Sequence, residues 1–313
     1  MVLKKIRDKF PQAYITLVSW NSLYELFDRS ELLDDCFSNS QYLRMTPSQL
    51  QALSQECHIY IDLQTTEESA IGVKRSQAEV KVAVFLPPGP IKYEELYTNS
   101  LRIEPGEHVS RYLLRGFQEA LGTDPELEPI PIPRPESVVR HVHVLLRELG
   151  LGEGEFLAGL HPGAKDAVRR WLPERWAGVV DWLTFSRAAR VLLLGTDLVS
   201  WGGAEIDDQK DNARIWRLAK KKPVDMTGAT PDPVLLAEVI RQMGLYIGLD
   251  TGPTHLAAAV GVPILSLYRY HEPAHYDAWK IIAPNSKIIT GEELEEVQVD
   301  EVTREIKLLL SIG

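Results

Sequence analysis

Short apolar runs rich in Val, Ile and Leu alternate along this chain with longer segments whose apolar residues recur every three or four positions. The runs are AYITLV, HIYIDL and VKVAVFL in the first half and EFLAGL, RVLLLG, LYIGLD and VPILSLY in the second. Strand-length runs alternating with helical periods predict α/β architecture, with parallel sheets covered by helices. The segment ESVVRHVHVLLRELG, residues 136–150, has helical spacing and a plausible stop at Gly150. The tail GEELEEVQVDEVTREIKLLL reads as one or two helices with a solvated acidic face. Between the halves lies PELEPIPIPRPES, residues 125–137, whose alternate prolines lack backbone donors and hold an extended path. It reads as a connector, and the domain boundary is placed near residue 150, giving units 1–150 and 151–313.

Composition narrows the function classes. The 313 residues suffice for two domains of ordinary size, each with its own core. Residues 1–150 hold 16 Lys and Arg against 21 Asp and Glu, and the remainder 18 against 23, so neither half is a basic nucleic-acid arm. The first residues, MVLKKIRDKFPQAYITLV, lack an apolar core long enough for a signal peptide, and no run of about eighteen uncharged apolar residues occurs. A cytoplasmic protein is expected. Cys36 and Cys57 are too few for a disulfide framework or a cysteine-rich zinc site and read as small core residues.

The stretch LDTGPTHLAAAVGVPILSLY, residues 249–268, is the first candidate for chemistry. A strand runs into the turn Asp250-Thr251-Gly252, Pro253 suits a first helical position, and Gly261 with Pro263 stops the helix. Helix N-termini attract anions through free N–H groups and the dipole, and Gly252 has no side chain to hold a phosphate away from the backbone. The same turn also fits an ordinary helix start capped by Thr251 or Asp250. His255, in the first turn, could face a ligand or simply pack.

A second constellation is FLAGLHPGAKDAVRRWLPERW, residues 156–176. A strand ends at His-Pro-Gly, and a loop bearing Lys165, Arg169 and Arg170 leads to a helix opened near Pro173. Guanidinium forks suit diphosphate oxygens, whereas the alternative is a solvated basic loop; Trp171 and Trp176 read as core anchors. A third, RVLLLGTDLVSWGGAEIDDQKDN, residues 190–212, places an acid-containing loop after a strand, where an acid could bind ribose, but the G-x-G-x-x-G spacing is absent. The literal H-E-x-x-H at His271-Glu272-Pro273-Ala274-His275 is interrupted by Pro273, which would clash in a continuing helix, so no metal site is expected. His141 and His143, two apart, point to different sides of a helix and form no metal pair.

Taken together and in order, HPGAKDAVRRWLPERW, VLLLG and VDMTGATPDPVLLAEVIRQMGLYIGLDTGPTHLAAAVGVPILSLY resemble the ADP-heptose heptosyltransferases, glycosyltransferase family 9. The first half is also similar, in RDKFPQAYITLV, HIYIDLQ and EHVSRYLLRGFQEALG. The resemblance implies a GT-B-like fold of two Rossmann-like domains facing a cleft, the N-terminal one on the acceptor side and the C-terminal one holding a nucleotide-sugar donor. It implies that Arg169, in place of the family's usual lysine, contacts donor phosphate. Asp250-Thr251-Gly252 with Pro253 would cradle the diphosphate, and His255 matches a family histidine. Gly163, Ala164 and Lys165 stand in the first motif, where hydroxyl residues commonly follow the Pro-Gly.

Family members begin with a strand and a Gly-Asp loop that supplies the general base, whereas this sequence starts inside the helix that follows. The N-terminal domain is therefore expected to lack its first strand, and no catalytic residue is assigned; Asp62, at a strand end, reads as structural. The implied function is transfer of a sugar from a nucleotide diphosphate donor, ADP-heptose or similar, to a hydroxyl of a glycan or lipid-linked acceptor. The alternative is a catalytically disabled nucleotide-sugar-binding or partner-binding protein of the same fold. No cofactor, metal or nucleic acid is expected, and a peripheral contact with the inner membrane surface belongs to the implied setting.

Overall fold

The computed structural model describes residues 2–19, 24–28, 30–55, 57–63, 65–85, 93–122, 132–152, 154–197, 199–201, 204–271 and 273–311. The chain divides into two compact units, Met1–Ile130 with Asp277–Trp279, and Pro131–Tyr276 with Lys280–Gly313.

The first unit opens with α1 (Val2–Lys9), β1 (Thr16–Ser19), α2 (Tyr24–Phe27) and β2 (Asp35–Ser38). β1 and β2 pair in parallel. Arg7 ties the opening helix to both strand approaches, donating to the Ala13 carbonyl at 2.6 Å, the Leu32 carbonyl at 3.1 Å and the Asp34 carboxylate at 2.6 Å. After α3 (Asn39–Leu43) and α4 (Pro47–Gln55) come β3 (Ile59–Asp62), α5 (Glu67–Arg75), β4 (Val80–Phe85), β5 (Asn99–Arg102) and α6 (Val109–Leu121).

Strands β3, β4 and β5 form a parallel sheet with β4 in the middle. Val82 and Val84 of β4 and Tyr112 of α6 are buried together. Gly116 allows this helix its approach, because a Cβ there would lie 2.6 Å from Val84 Cγ2. The expected strands AYITLV, HIYIDL and VKVAVFL are β1, β3 and β4. The more polar β2, DCFS, and β5, NSLR, carry no comparable apolar signal.

The second unit begins with α7 (Glu136–Glu148), β6 (Leu157–His161), α8 (Pro173–Arg187) and β7 (Arg190–Leu193). A hairpin, β8 (Val199–Trp201) with β9 (Ala204–Ile206), precedes α9 (Gln209–Leu218), β10 (Val224–Asp225), α10 (Pro233–Arg241) and β11 (Leu245–Leu249). The remaining elements are α11 (Gly252–Val260), β12 (Ile264–Arg269), α12 (Pro273–Trp279), whose residues Asp277–Trp279 count with the first unit, β13 (Ser286–Gly291) and α13 (Val299–Ser311).

Six strands form one parallel sheet in the order β10-β7-β6-β11-β12-β13. Alternate residues divide between its faces. Leu160, Leu193, Ile247, Leu249 and Leu267 pack with Trp176 and Leu183 of α8, Ile215 of α9 and Ile306 of α13. On the opposite face, a Cβ at Gly248 would meet Thr254 of α11 at 2.6 Å, and one at Gly159 would meet Met243 at 2.3 Å. Helices therefore cover both sides, which is why the strands are apolar without polar alternation.

The proline connector largely falls on residues 123–131, outside the described residues. Residue 150, the expected boundary, lies within the second unit. The reason is anchoring: α7 packs on α10, Arg134 donates to both oxygens of the buried Glu238 carboxylate at 2.9 and 3.0 Å, and Arg241 donates to the Ile132 carbonyl at 3.1 Å. Gly150 ends α7 in the left-handed conformation, φ +71°, as its position suggested.

Candidate functional site

Strands β6 and β11 are neighbours at the centre of the sheet, with Gly248 opposite His161. Because they are parallel, the turns that follow them, 162–172 and 250–253, emerge side by side at the carboxyl edge. That edge is where open α/β sheets bind ligands.

At the end of β11, Thr251 occupies the cap position of α11 in extended conformation, yet no side chain among the described residues caps this helix. The Thr251 hydroxyl lies 3.5 Å from the Leu249 carbonyl, and the Thr254 hydroxyl donates to the same carbonyl at 2.6 Å, so both point back at the strand. The Asp250 carboxylate turns away as well. It accepts from Arg169 Nη1 at 3.3 Å and from His275 Nε2 at 2.9 Å, while Arg169 Nη1 also reaches the Asp250 carbonyl at 3.4 Å. The ordinary capped helix start is thus not realised, and the positive end of α11 is left to another acceptor. Gly252, the first residue of α11, is exposed, and a Cβ there would meet nothing within 4 Å. Pro253 follows it, His255 is half-buried one turn in, and Gly261 ends the helix at φ +88°.

The loop after β6 has an outer and an inner side. Lys165 is exposed. Arg169, in a short 3₁₀ turn, bridges two acids, its Nη2 donating to Asp166 at 2.7 Å while Nη1 faces Asp250. Arg170 is structural, donating to the Ala164 carbonyl at 2.8 Å and to Asp211 at 2.9 Å. The Ala164 methyl lies in the core, so that residue can offer a ligand only its backbone. Gly163 is required by packing, since a Cβ there would fall 2.1 Å from Asp208 Oδ1. Trp171 and Trp176 are the expected anchors, edge to face at 5.2 Å, with Trp171 Nε1 donating to the Val297 carbonyl at 3.1 Å.

Beneath the loop lies a sealed polar group that sequence reasoning did not assemble. His161, Asp208 and Asn212 are all buried. The Asp208 carboxylate accepts from the Thr196 N–H at 2.9 Å, and Asn212 donates to Thr227 Oγ1 at 2.7 Å. His161 Nδ1, Asp208 Oδ1 and Asn212 Oδ1 have no hydrogen-bond partner among the described residues. Burial holds the His161 imidazole well below its ordinary value, against the opposing pull of Asp208. Asp208 belongs to the acid-containing segment 190–212, but β8 and β9 separate it in sequence from the strand end that it contacts.

In the interrupted H-E-x-x-H, Pro273 opens α12 after His271, so His271 and His275 do not share one helix, and Glu272 lies outside the described residues. His275 instead faces Asp250, a role its spacing did not signal. Asp62 accepts from the Thr65 N–H at 3.0 Å and from the Tyr97 hydroxyl at 2.8 Å, the structural role expected of it. Cys36 and Cys57 are free and half-buried.

Residues 147–308 match the family model of glycosyltransferase family 9 (heptosyltransferase). The chain belongs to that family. Lipopolysaccharide heptosyltransferase 3 of Escherichia coli (strain K12) is 30% identical over 135 residues, which cover 42% of this chain and 37% of that relative. The match therefore spans well under half of the relative's length. The crystal structure of the family 9 glycosyl transferase from Veillonella parvula is 18% identical, with a TM-score of 0.81 over 99% of this chain and 92% of that one. The structure of E. coli heptosyltransferase WaaC with ADP is 16% identical, with a TM-score of 0.71 over 98% and 94%. These likenesses make the fold of this family 9 chain α/β and GT-B-like. No helix of the described residues is long and apolar enough to cross a membrane.

Proposed function

We propose that this family 9 chain is a glycosyltransferase of the heptosyltransferase type, which binds a nucleotide diphosphate sugar and passes the sugar to a hydroxyl of a glycan or lipid-linked acceptor. The observation that carries the reading is the uncapped N-terminus of α11 with Arg169 beside it, at the carboxyl edge of a central strand. The binding of ADP by WaaC, and the heptosyltransferase name of the E. coli relative, support a diphosphate donor and heptose transfer.

In this reading the backbone at Thr251, Gly252 and the first turn of α11, with Pro253 and His255, faces the diphosphate. Arg169 and Lys165 add charge, and Gly163 and Ala164 shape the neighbouring ledge. Asp250 orients the Arg169 guanidinium rather than touching phosphate itself. Displacement of the sugar leaves a nucleoside diphosphate, and preorganised N–H groups and a guanidinium stabilise that developing charge. The second unit is the donor side and the first unit the acceptor side.

Titration calorimetry with ADP and ADP-heptose tests the placement. Arg169→Ala is expected to weaken binding about ten-fold, equivalent to about 1.4 kcal/mol, and Asp250→Ala several-fold. Wild-type affinity in both variants would remove the site from this turn. A panel of nucleotide sugars then assigns the base and the sugar, and transfer to an acceptor separates an enzyme from a binding protein.

A further inference from the structure

The turn after β11 gathers two carboxylates around one guanidinium. Asp166 and Asp250 share one guanidinium, that of Arg169, and a bound diphosphate brings further negative charge. The second group in contact with Asp250 is His275, whose Nε2 lies 2.9 Å from Oδ2. A carboxylate oxygen accepts hydrogen bonds, so in this contact Nε2–H is the donor. The Asp250 side chain is 9% exposed, so losing one of its two donors would leave a nearly buried carboxylate less satisfied and freer to turn toward the anion site. Among the described residues, other titratable groups near this turn include Asp166 on the loop after β6, His255 on α11, Tyr276 on α12 and Tyr268 on β12, whose phenol is raised by its burial and by Asp250.

We propose that His275 is a positioning residue of the donor site: its Nε2–H holds the Asp250 carboxylate, and with it the Arg169 guanidinium, in the geometry that receives the diphosphate. The second histidine of the interrupted H-E-x-x-H thereby gains a role that involves no metal. The inference rests on the donor reading of the α11 turn, and the test separates the two. ADP binding is measured by calorimetry for wild type, Arg169→Ala, His275→Ala and His275→Gln, with a thermal melt of each variant to confirm folding. His275→Ala is expected to lose about five- to ten-fold in affinity. His275→Gln, whose amide can still donate to the carboxylate, is expected to regain most of it. Affinity unchanged in His275→Ala, or as poor in His275→Gln as in His275→Ala, overturns the inference while weakened binding in Arg169→Ala still supports the donor reading. Absence of ADP binding by the wild-type chain overturns both.

Discussion

The ends of β6 and β11 lie side by side in one sheet, yet their polar groups meet opposite fates. Behind β6, His161, Asp208 and Asn212 are sealed beneath the loop, and Gly163 lies so close to Asp208 that no side chain fits. Behind β11, the buried Asp250 carboxylate is held by the partly exposed Arg169 and His275, and the space over Gly252 is open. The first is a buried network that sets the height and angle of a ledge. The second leaves a helix end uncapped beside a cation, which suits an incoming anion. Proximity to the carboxyl edge alone does not make a binding residue; what separates the two strand ends is access, since the group behind β6 is buried with three of its polar atoms unpartnered among the described residues, whereas the space over Gly252 is open.

Substitution of the two glycines sets the comparison its hardest test. Gly163→Ala forces a methyl against Asp208 and should destabilise the second unit by about 3 kcal/mol, the upper end for overpacking, seen as a lower denaturation midpoint in urea. A neutral effect would show that the network beneath the loop is loose.

A smaller effect comes from acid. Because burial depresses His161 in the folded state, the unfolded chain takes up that proton first. The contribution to stability is then complete above the ordinary imidazole value of about 6.5 and falls as pH drops below it, by at most about 1.4 kcal/mol per pH unit. Urea melts at pH 7.5 and 5.5 should differ more in the wild type than in His161→Gln; equal differences would mean that the ring is not sealed.

The smallest effect on stability belongs to Gly252→Ala, within about 0.5 kcal/mol, because the added methyl meets nothing. The same change should weaken ADP binding several-fold by standing between the phosphate and the backbone. A variant that is unstable, or that binds normally, would erase the contrast with Gly163.

Much of this was legible beforehand. The seven apolar runs all became strands, and the stops at Gly150 and Gly261 and the start at Pro173 depend on local backbone rules that hold wherever the segment sits. Less legible were short or polar strands such as β2, β5 and β10, whose existence depends on a neighbour to pair with. The antiparallel β8–β9 hairpin stands where a plain loop was expected. Of the turn after β11, the residue types were readable, but not that Thr251 and Asp250 would leave α11 uncapped. The partners of Asp250 come from 81 and 25 residues away in the chain, and no spacing rule reaches that far.

The sequence by itself determined the α/β character, the seven apolar strands and the resemblance that pointed to family 9, because periodicity, glycine and proline act over a few residues. Only the tertiary structure decided which polar groups close on one another and which stay open. That choice depends on Asp208, Arg169 and His275 arriving from separate elements at the edge of one sheet, where burial and charge, rather than local propensity, set their partners.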